Sequence, residues 1–137
     1  MSETTTTTNA PTIWPALTCK DAEAELRFLT EAFGFEEAMV VRGEAGDDRP
    51  IHHAELKWPL GGGVMLGSTR PDADDPFPSG PVSIYVVCDD PDALFGRANE
   101  AGADIVIGLK DDDYGSRGFT ARDPGGNVWT FGTYRGA

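Results

Sequence analysis

The clearest acid–base chemistry of the chain lies in His52, His53 and Glu55. All three fall in an alternating stretch, residues 51–58, that reads as a strand. Successive strand side chains point to opposite faces, so His52 and His53 should face apart and one shared site can recruit at most one of them. His53 and Glu55 share a face. They read either as an ordinary polar pair, with Glu55 turned toward Lys57 or a neighbour, or as a carboxylate-oriented imidazole able to act as a base. Tyr114 and Arg117 flank Gly115 in a loop that could close over a ligand. Cys19 and Cys88 keep register with Leu17 and Val86 and read as small buried hydrophobes. Asp72, Asp74 and Asp75, like Asp111, Asp112 and Asp113, sit in loops and read as solvated turn residues rather than a cation site. Gly61, Gly62 and Gly63 follow Pro59 in a hairpin, with no lysine and no following helix, so no phosphate cradle is built there.

These side chains have to be positioned by regular elements, and the pattern supplies them twice. Residues 1–11 are polar and Thr-rich and read as a disordered lead-in. Residues 13–19 suit a strand. Asp21 then stands where a helix N-cap belongs, Leu26, Leu29 and Phe33 recur at helical spacing, and Gly34 fits the exit. Strands follow at 36–42, 51–58 and 64–66. Residues 69–80, rich in proline and aspartate, read as a linker. The order then restarts, with a strand at 82–88, a helix opened by Asp90 and Pro91 and closed by Gly102, and strands at 104–109, 118–122 and 127–134.

The offset that carries Cys19 onto Cys88 also carries Asp21 onto Asp90, Glu23 onto Asp92, Ala24 onto Ala93, Glu31 onto Glu100 and Ala32 onto Ala101. The chain therefore reads as two βαβββ modules, 12–68 and 81–135, within one α+β domain. Alternation in the first strand of each module puts Trp14, Ala16 and Thr18 on one face and Ser83, Tyr85 and Val87 on the equivalent face.

Composition narrows the partners. The chain has 137 residues, and 11 Lys+Arg against 23 Asp+Glu leave a formal net charge of −12. Such a surface repels phosphate backbones and anionic membranes, so neither nucleic acid nor membrane is an expected partner. No apolar run approaches the ~20 residues of a membrane span. The N-terminus lacks the basic flank and apolar stretch of a signal peptide, which makes the cytoplasm the expected address. Two cysteines are too few for a disulfide framework.

The run Asp21-Ala-Glu-Ala-Glu-Leu-Arg-Phe-Leu, followed by Ala32-Phe-Gly-Phe-Glu, resembles the first helix and exit of the glyoxalase/bleomycin-resistance/extradiol-dioxygenase superfamily. Residues 114–131, with Asp123-Pro-Gly-Gly-Asn before a final apolar strand, resemble its closing hairpin. The resemblance covers nearly everything from Thr12 to Arg135. It implies curved mixed sheets around a cavity, with the helices outside. It also implies a divalent metal, held by a His early in the first strand of each module and a Glu in the last strand. Those positions fall here on Trp14, Ser83 and Thr130, and the matching strand of module one offers Met65 and Leu66. None is a good ligand, so no metal and no other cofactor is expected. A cavity lining remains, with Trp14 and Tyr85 as aromatic walls and Ser83 and Thr130 as hydroxyls. The same two rings could instead plug the cavity as core. Trp129 and Phe131, alternating with Thr130, are expected under the helices.

Three functions fit this pattern. The first is a metal-independent binding protein that sequesters an aromatic or cationic compound. The second is a glyoxalase-like lyase, isomerase or dioxygenase with a non-standard metal or a His53/Glu55 site. The third is a structural dimer with a filled cavity. Exposed sheet edges and open faces make a homodimer the expected assembly.

Overall fold

The computed structural model of the chain describes residues 11–43, 49–70 and 75–137. The expected lead-in at 1–11, except Pro11, lies outside the described residues, as do parts of the loop at 43–50 and of the linker at 69–80, including Asp72 and Asp74. Module one consists of β1 (Ala16–Cys19), α1 (Ala22–Ala32), β2 (Glu36–Val41), β3 (His53–Lys57) and β4 (Gly63–Ser68). Module two repeats the order with β5 (Ser83–Val87), α2 (Pro91–Glu100), β6 (Asp104–Asp111), β7 (Arg117–Arg122) and β8 (Val128–Gly132). Each forms a four-stranded mixed sheet, ordered β1-β4-β3-β2 and β5-β8-β7-β6. The first strand runs parallel to the last, and the other pairs are antiparallel. The protein is thus α+β, with two tandem βαβββ modules.

The repeat is kept most faithfully where each helix begins. Asp21 accepts the Ala24 N–H at 3.1 Å with φ −128° and ψ 81°, and Asp90 accepts the Ala93 N–H at 3.1 Å with φ −129° and ψ 79°. A carboxylate at this point satisfies one orphan helix donor and meets the positive end of the macrodipole. The two helices are clamped together by Arg97 of α2. Its Nε donates to the Glu31 carbonyl at 2.9 Å and its Nη2 to the Thr30 carbonyl at 3.0 Å, which satisfies the C-terminal end of α1.

One core serves both modules. Leu17, Leu56, Val64 and Leu66 from the first sheet, Phe119, Trp129 and Phe131 from the second, and Leu26, Leu29 and Phe33 from α1 are all buried. Phe33, at the exit of α1, reaches across to Phe131 and Trp129, with ring centroids 4.6 and 5.6 Å away. Cys19 and Cys88 are buried on this side, as expected. Burial and nearby carboxylates push the Cys19 thiol up to about 12, and burial pushes Cys88 up to about 11, so neither is a thiolate nucleophile at neutral pH.

A polar latch joins the modules beside that core. Asp123, which opens the turn before β8, accepts the Asn127 N–H on Oδ1 at 2.9 Å. Its Oδ2 takes the Asn127 side-chain amide and the Trp129 indole N–H, each at 2.9 Å. From α1, Glu25 reaches into the same turn and accepts the Gly125 N–H on Oε1 at 2.7 Å. Its Oε2 is buried with no donor to meet it, and Asp123 is close enough to hydrogen-bond only if Glu25 carries a proton. Burial, followed by the Asp123 carboxylate, pushes Glu25 up to about 8. The Asp-Pro-Gly-Gly-Asn segment is therefore the seat of an intermodule contact as well as a turn.

Candidate functional site

Register defines two open faces opposite the core. On module one, β-pairing places Ala16 beside Met65 and Met65 beside Glu55, on the face that also bears Thr18, His53 and Gly67. On module two, Ser83 pairs with Val128, Tyr85 with Thr130, and Thr130 with Thr120, whose hydroxyls lie 3.0 Å apart. β1 begins at Ala16, so Trp14 stands just before it rather than in the strand expected at 13–19, whereas Tyr85 is in β5; each ring lies close to a glycine. A Cβ on Gly63 would stand 2.8 Å from the Trp14 ring, and a Cβ on Gly132 would stand 2.7 Å from the Tyr85 hydroxyl. A side chain at Gly63 would first strike the Leu56 carbonyl, 2.0 Å from the added Cβ, and one at Gly132 would crowd the Ser116 hydroxyl at 2.9 Å as well as Tyr85. Trp14 is half-buried and Tyr85 remains 44% exposed, with its hydroxyl donating to the Tyr134 carbonyl at 2.7 Å.

Where the two sheets meet, a groove of about 330 Å³ opens between the β3–β4 turn and the outer edge of β5. Module one lines it with Pro15, Phe35, Trp58 and Leu60, and module two with Ile84, Tyr85 and Arg135. Trp58 is fixed in place because its indole N–H donates to the Val87 carbonyl at 2.8 Å. Its ring packs 4.8 Å from Phe35 and 5.7 Å from Phe131. Arg135, on the rim, is paired with Asp89. This is an apolar site with few polar groups, of the size that takes a small organic molecule.

The expected site residues are thus distributed rather than gathered. Tyr85 lies in the groove, and Ser83 and Thr130 share its face of module two. Trp14 stands in module one, just before β1, and is not among the residues that line the groove. Tyr114 packs edge-on against Tyr134 at 5.4 Å and donates to Asp112 at 3.3 Å, which joins it to Tyr85 only through Tyr134. Arg117 donates to both oxygens of Asp92, at 2.7 and 3.1 Å, and to Asp111 at 3.2 Å, tying β7 to α2, and these partners raise its already high pKa. His53 and Glu55 do pair, Nε2 to Oε2 at 2.8 Å, on module one.

His53 opens β3 and His52 stands just before it, and both residues border a hollow of about 220 Å³ on module one, together with Arg49, Arg70 and Phe77. The sequence reading passed over Trp58, Leu60 and Arg135. A Trp-Pro-Leu hairpin tip is unusually apolar for an exposed turn, and that was the available signal.

The chain matches the Glyoxalase/Bleomycin resistance protein/Dioxygenase superfamily over residues 13–131. The chain belongs to this superfamily. A Mycobacterium bovis relative is 33% identical over 129 residues, covering 89% of this chain and 82% of its own. Among solved structures, TioX from Micromonospora sp. ML1 is 30% identical, covers 90% of this chain and 98% of its own, and superposes with a TM-score of 0.73. A glyoxalase/bleomycin resistance protein/dioxygenase from Nocardioides, at 21% identity and a TM-score of 0.62 over 95% of this chain and 87% of its own, shares the fold. The divalent metal that the superfamily resemblance implies does not fit the residues present. Trp14, Ser83, Thr130 and Met65 supply no imidazole, carboxylate or thiolate, and no three His, Cys, Asp or Glu converge on one point among the described residues.

Proposed function

We propose that this superfamily member is a metal-independent small-molecule-binding protein that holds an aromatic compound in the groove between its modules and works as a homodimer. The observation that carries this reading is the groove itself. It is walled by rings from both modules and contains an exposed Tyr85, held at its hydroxyl by the Tyr134 carbonyl. A planar guest stacking on Tyr85 and Trp58 gains from ring contact beyond the area it buries. A cationic aromatic gains further from the ring faces and from the net charge of −12, which draws it in at low salt. Met39, Val106 and Ile107 stay more than 40% exposed on the sheets, and a second copy is the natural cover for them. The cytoplasmic address expected from the sequence belongs to the same reading, since the two buried thiols would remain reduced there.

The test is calorimetry with a panel of aromatic and cationic compounds on protein treated with chelator. At least one compound should bind equally before and after treatment. Tyr85→Phe should keep that binding, and Tyr85→Ala should weaken it by about tenfold, the equivalent of ~1.4 kcal/mol. Affinity lost on chelation and restored by a transition metal would overturn the reading. Sedimentation should show twice the mass of one chain, and a monomer at micromolar concentration would remove the dimer. The 2.8 Å His53–Glu55 contact supports a second reading, an enzyme with an oriented imidazole base. That reading predicts turnover abolished by His53→Gln.

A further inference from the structure

The groove between the modules has apolar walls, and among the described residues that line it Arg135 is the one charged side chain. Arg135 follows β8, in a segment that is tied down on both sides of Tyr134. The Thr133 N–H donates to the Arg117 carbonyl at 3.1 Å and the Tyr134 N–H to the Ser116 hydroxyl at 3.2 Å. The Tyr134 carbonyl then accepts the Tyr85 hydroxyl at 2.7 Å, so the backbone that carries Arg135 is fastened to the ring in the groove. The guanidinium is paired with Asp89, which stands between β5 and α2 and is not among the groove residues. Both side chains are mostly exposed. An exposed ion pair of this kind adds little to stability, so Arg135 can exchange Asp89 for another carboxylate at small cost, and Asp89 is then free to return to water.

We propose that the groove's guest is an aromatic carboxylic acid, whose carboxylate takes the place of Asp89 on Arg135 while its ring stacks on Tyr85 and Trp58. The inference rests on the reading of the groove as an aromatic site and names the class of compound it selects. A planar guanidinium meets a two-oxygen anion with paired N–H donors, which fixes orientation as well as holding charge. A carboxylate placed elsewhere along the groove would meet Phe35, Leu60 or Ile84 and lose water without gaining a partner, so the acid belongs at the Arg135 end and the ring inward. The net charge of −12 opposes an anion at long range, but at physiological salt that field is screened beyond about 8 Å, and the contact at the rim decides what is held. An aromatic cation is drawn toward the molecule and then meets Arg135, which disfavours it against an acid of the same ring size.

The experiment is calorimetry on the whole, chelator-treated protein at fixed ionic strength, with 2-naphthoate, 2-naphthamide and 2-naphthylmethylammonium as probes that share one ring system. Naphthoate should bind about tenfold tighter than naphthamide, with the ammonium weakest. Arg135→Gln should bring naphthoate down to the affinity of naphthamide. Asp89→Asn removes the competing carboxylate and should tighten naphthoate several-fold relative to naphthamide. Tyr85→Ala should weaken naphthoate and naphthamide alike, because it removes the ring and leaves Arg135. The two readings fail in different ways. Naphthamide binding as tightly as naphthoate, the ammonium binding tightest, or a preference for the acid that survives Arg135→Gln would overturn the proposal and leave the groove standing. Binding of none of the three, or binding that ignores Tyr85→Ala, would overturn the groove reading and this inference with it.

Discussion

The two modules share topology, register and helix caps, yet their open faces have diverged. Module one presents His53, Glu55 and Met65 beside a hollow with two arginines, whereas module two presents Ser83, Thr120, Thr130 and Tyr85. The helix-opening aspartates adopt nearly the same dihedrals and make bonds of the same length. Gly63, close to the Trp14 ring, and Gly132, close to Tyr85, also correspond at the repeat offset. The repeat is kept where it begins helices and in the glycines beneath the rings, and it is relaxed on the open faces of the sheets. The shared features are those that hold the fold, and the differences lie on the faces where the proposed sites are placed.

The most disruptive way to break the comparison is to separate the halves. Phe33→Ala removes the ring that reaches from α1 to Trp129 and Phe131 and should cost about 3–5 kcal/mol in denaturant unfolding. If the two modules were independent, this change would destabilise only the first.

The latch gives a pH-dependent version of the same test. In the folded protein Glu25 holds its proton up to about 8, while the unfolded chain releases it near the ordinary glutamate value. Between those values the native state binds more protons than the unfolded one, so its stability is complete at the acid end and falls as pH rises through 8, by a few kcal/mol. Glu25→Gln keeps an acceptor for Gly125 and supplies a donor to Asp123. It should flatten this slope and be more stable than the native protein at pH 9. A slope unchanged in the variant would place the titration elsewhere.

Smaller effects sharpen the comparison. Asp21→Ala and Asp90→Ala should each cost about 1 kcal/mol in thermal unfolding, and nearly equally, since the caps are geometric copies. Arg42→Ala breaks an exposed pair with Glu23 and should leave the thermal midpoint nearly unchanged.

Much of the fold was legible because the patterns that encode it are local. Asp21 and Asp90 mark helix starts, Gly34 and Gly102 take the positive φ after each helix, and alternation sorted Trp129 and Phe131 into the core. The functional surfaces were less legible because they depend on segments brought together from a distance. Tyr85 was placed on its correct face, but its meeting with Trp58 and Leu60 is set by how the two sheets pack. Arg117 could be located but not its partner Asp92, which reaches it from the opening turn of α2.

The central claim is that a small aromatic molecule binds, without metal, in the groove between the modules. Its most direct test is amide chemical-shift mapping of the best-binding aromatic compound on chelator-treated protein. The account predicts saturable shifts confined to the groove, at Leu60, Gly63, Tyr85 and Val87, lost in Tyr85→Ala. Binding that requires added metal, or shifts that avoid this groove, would contradict it.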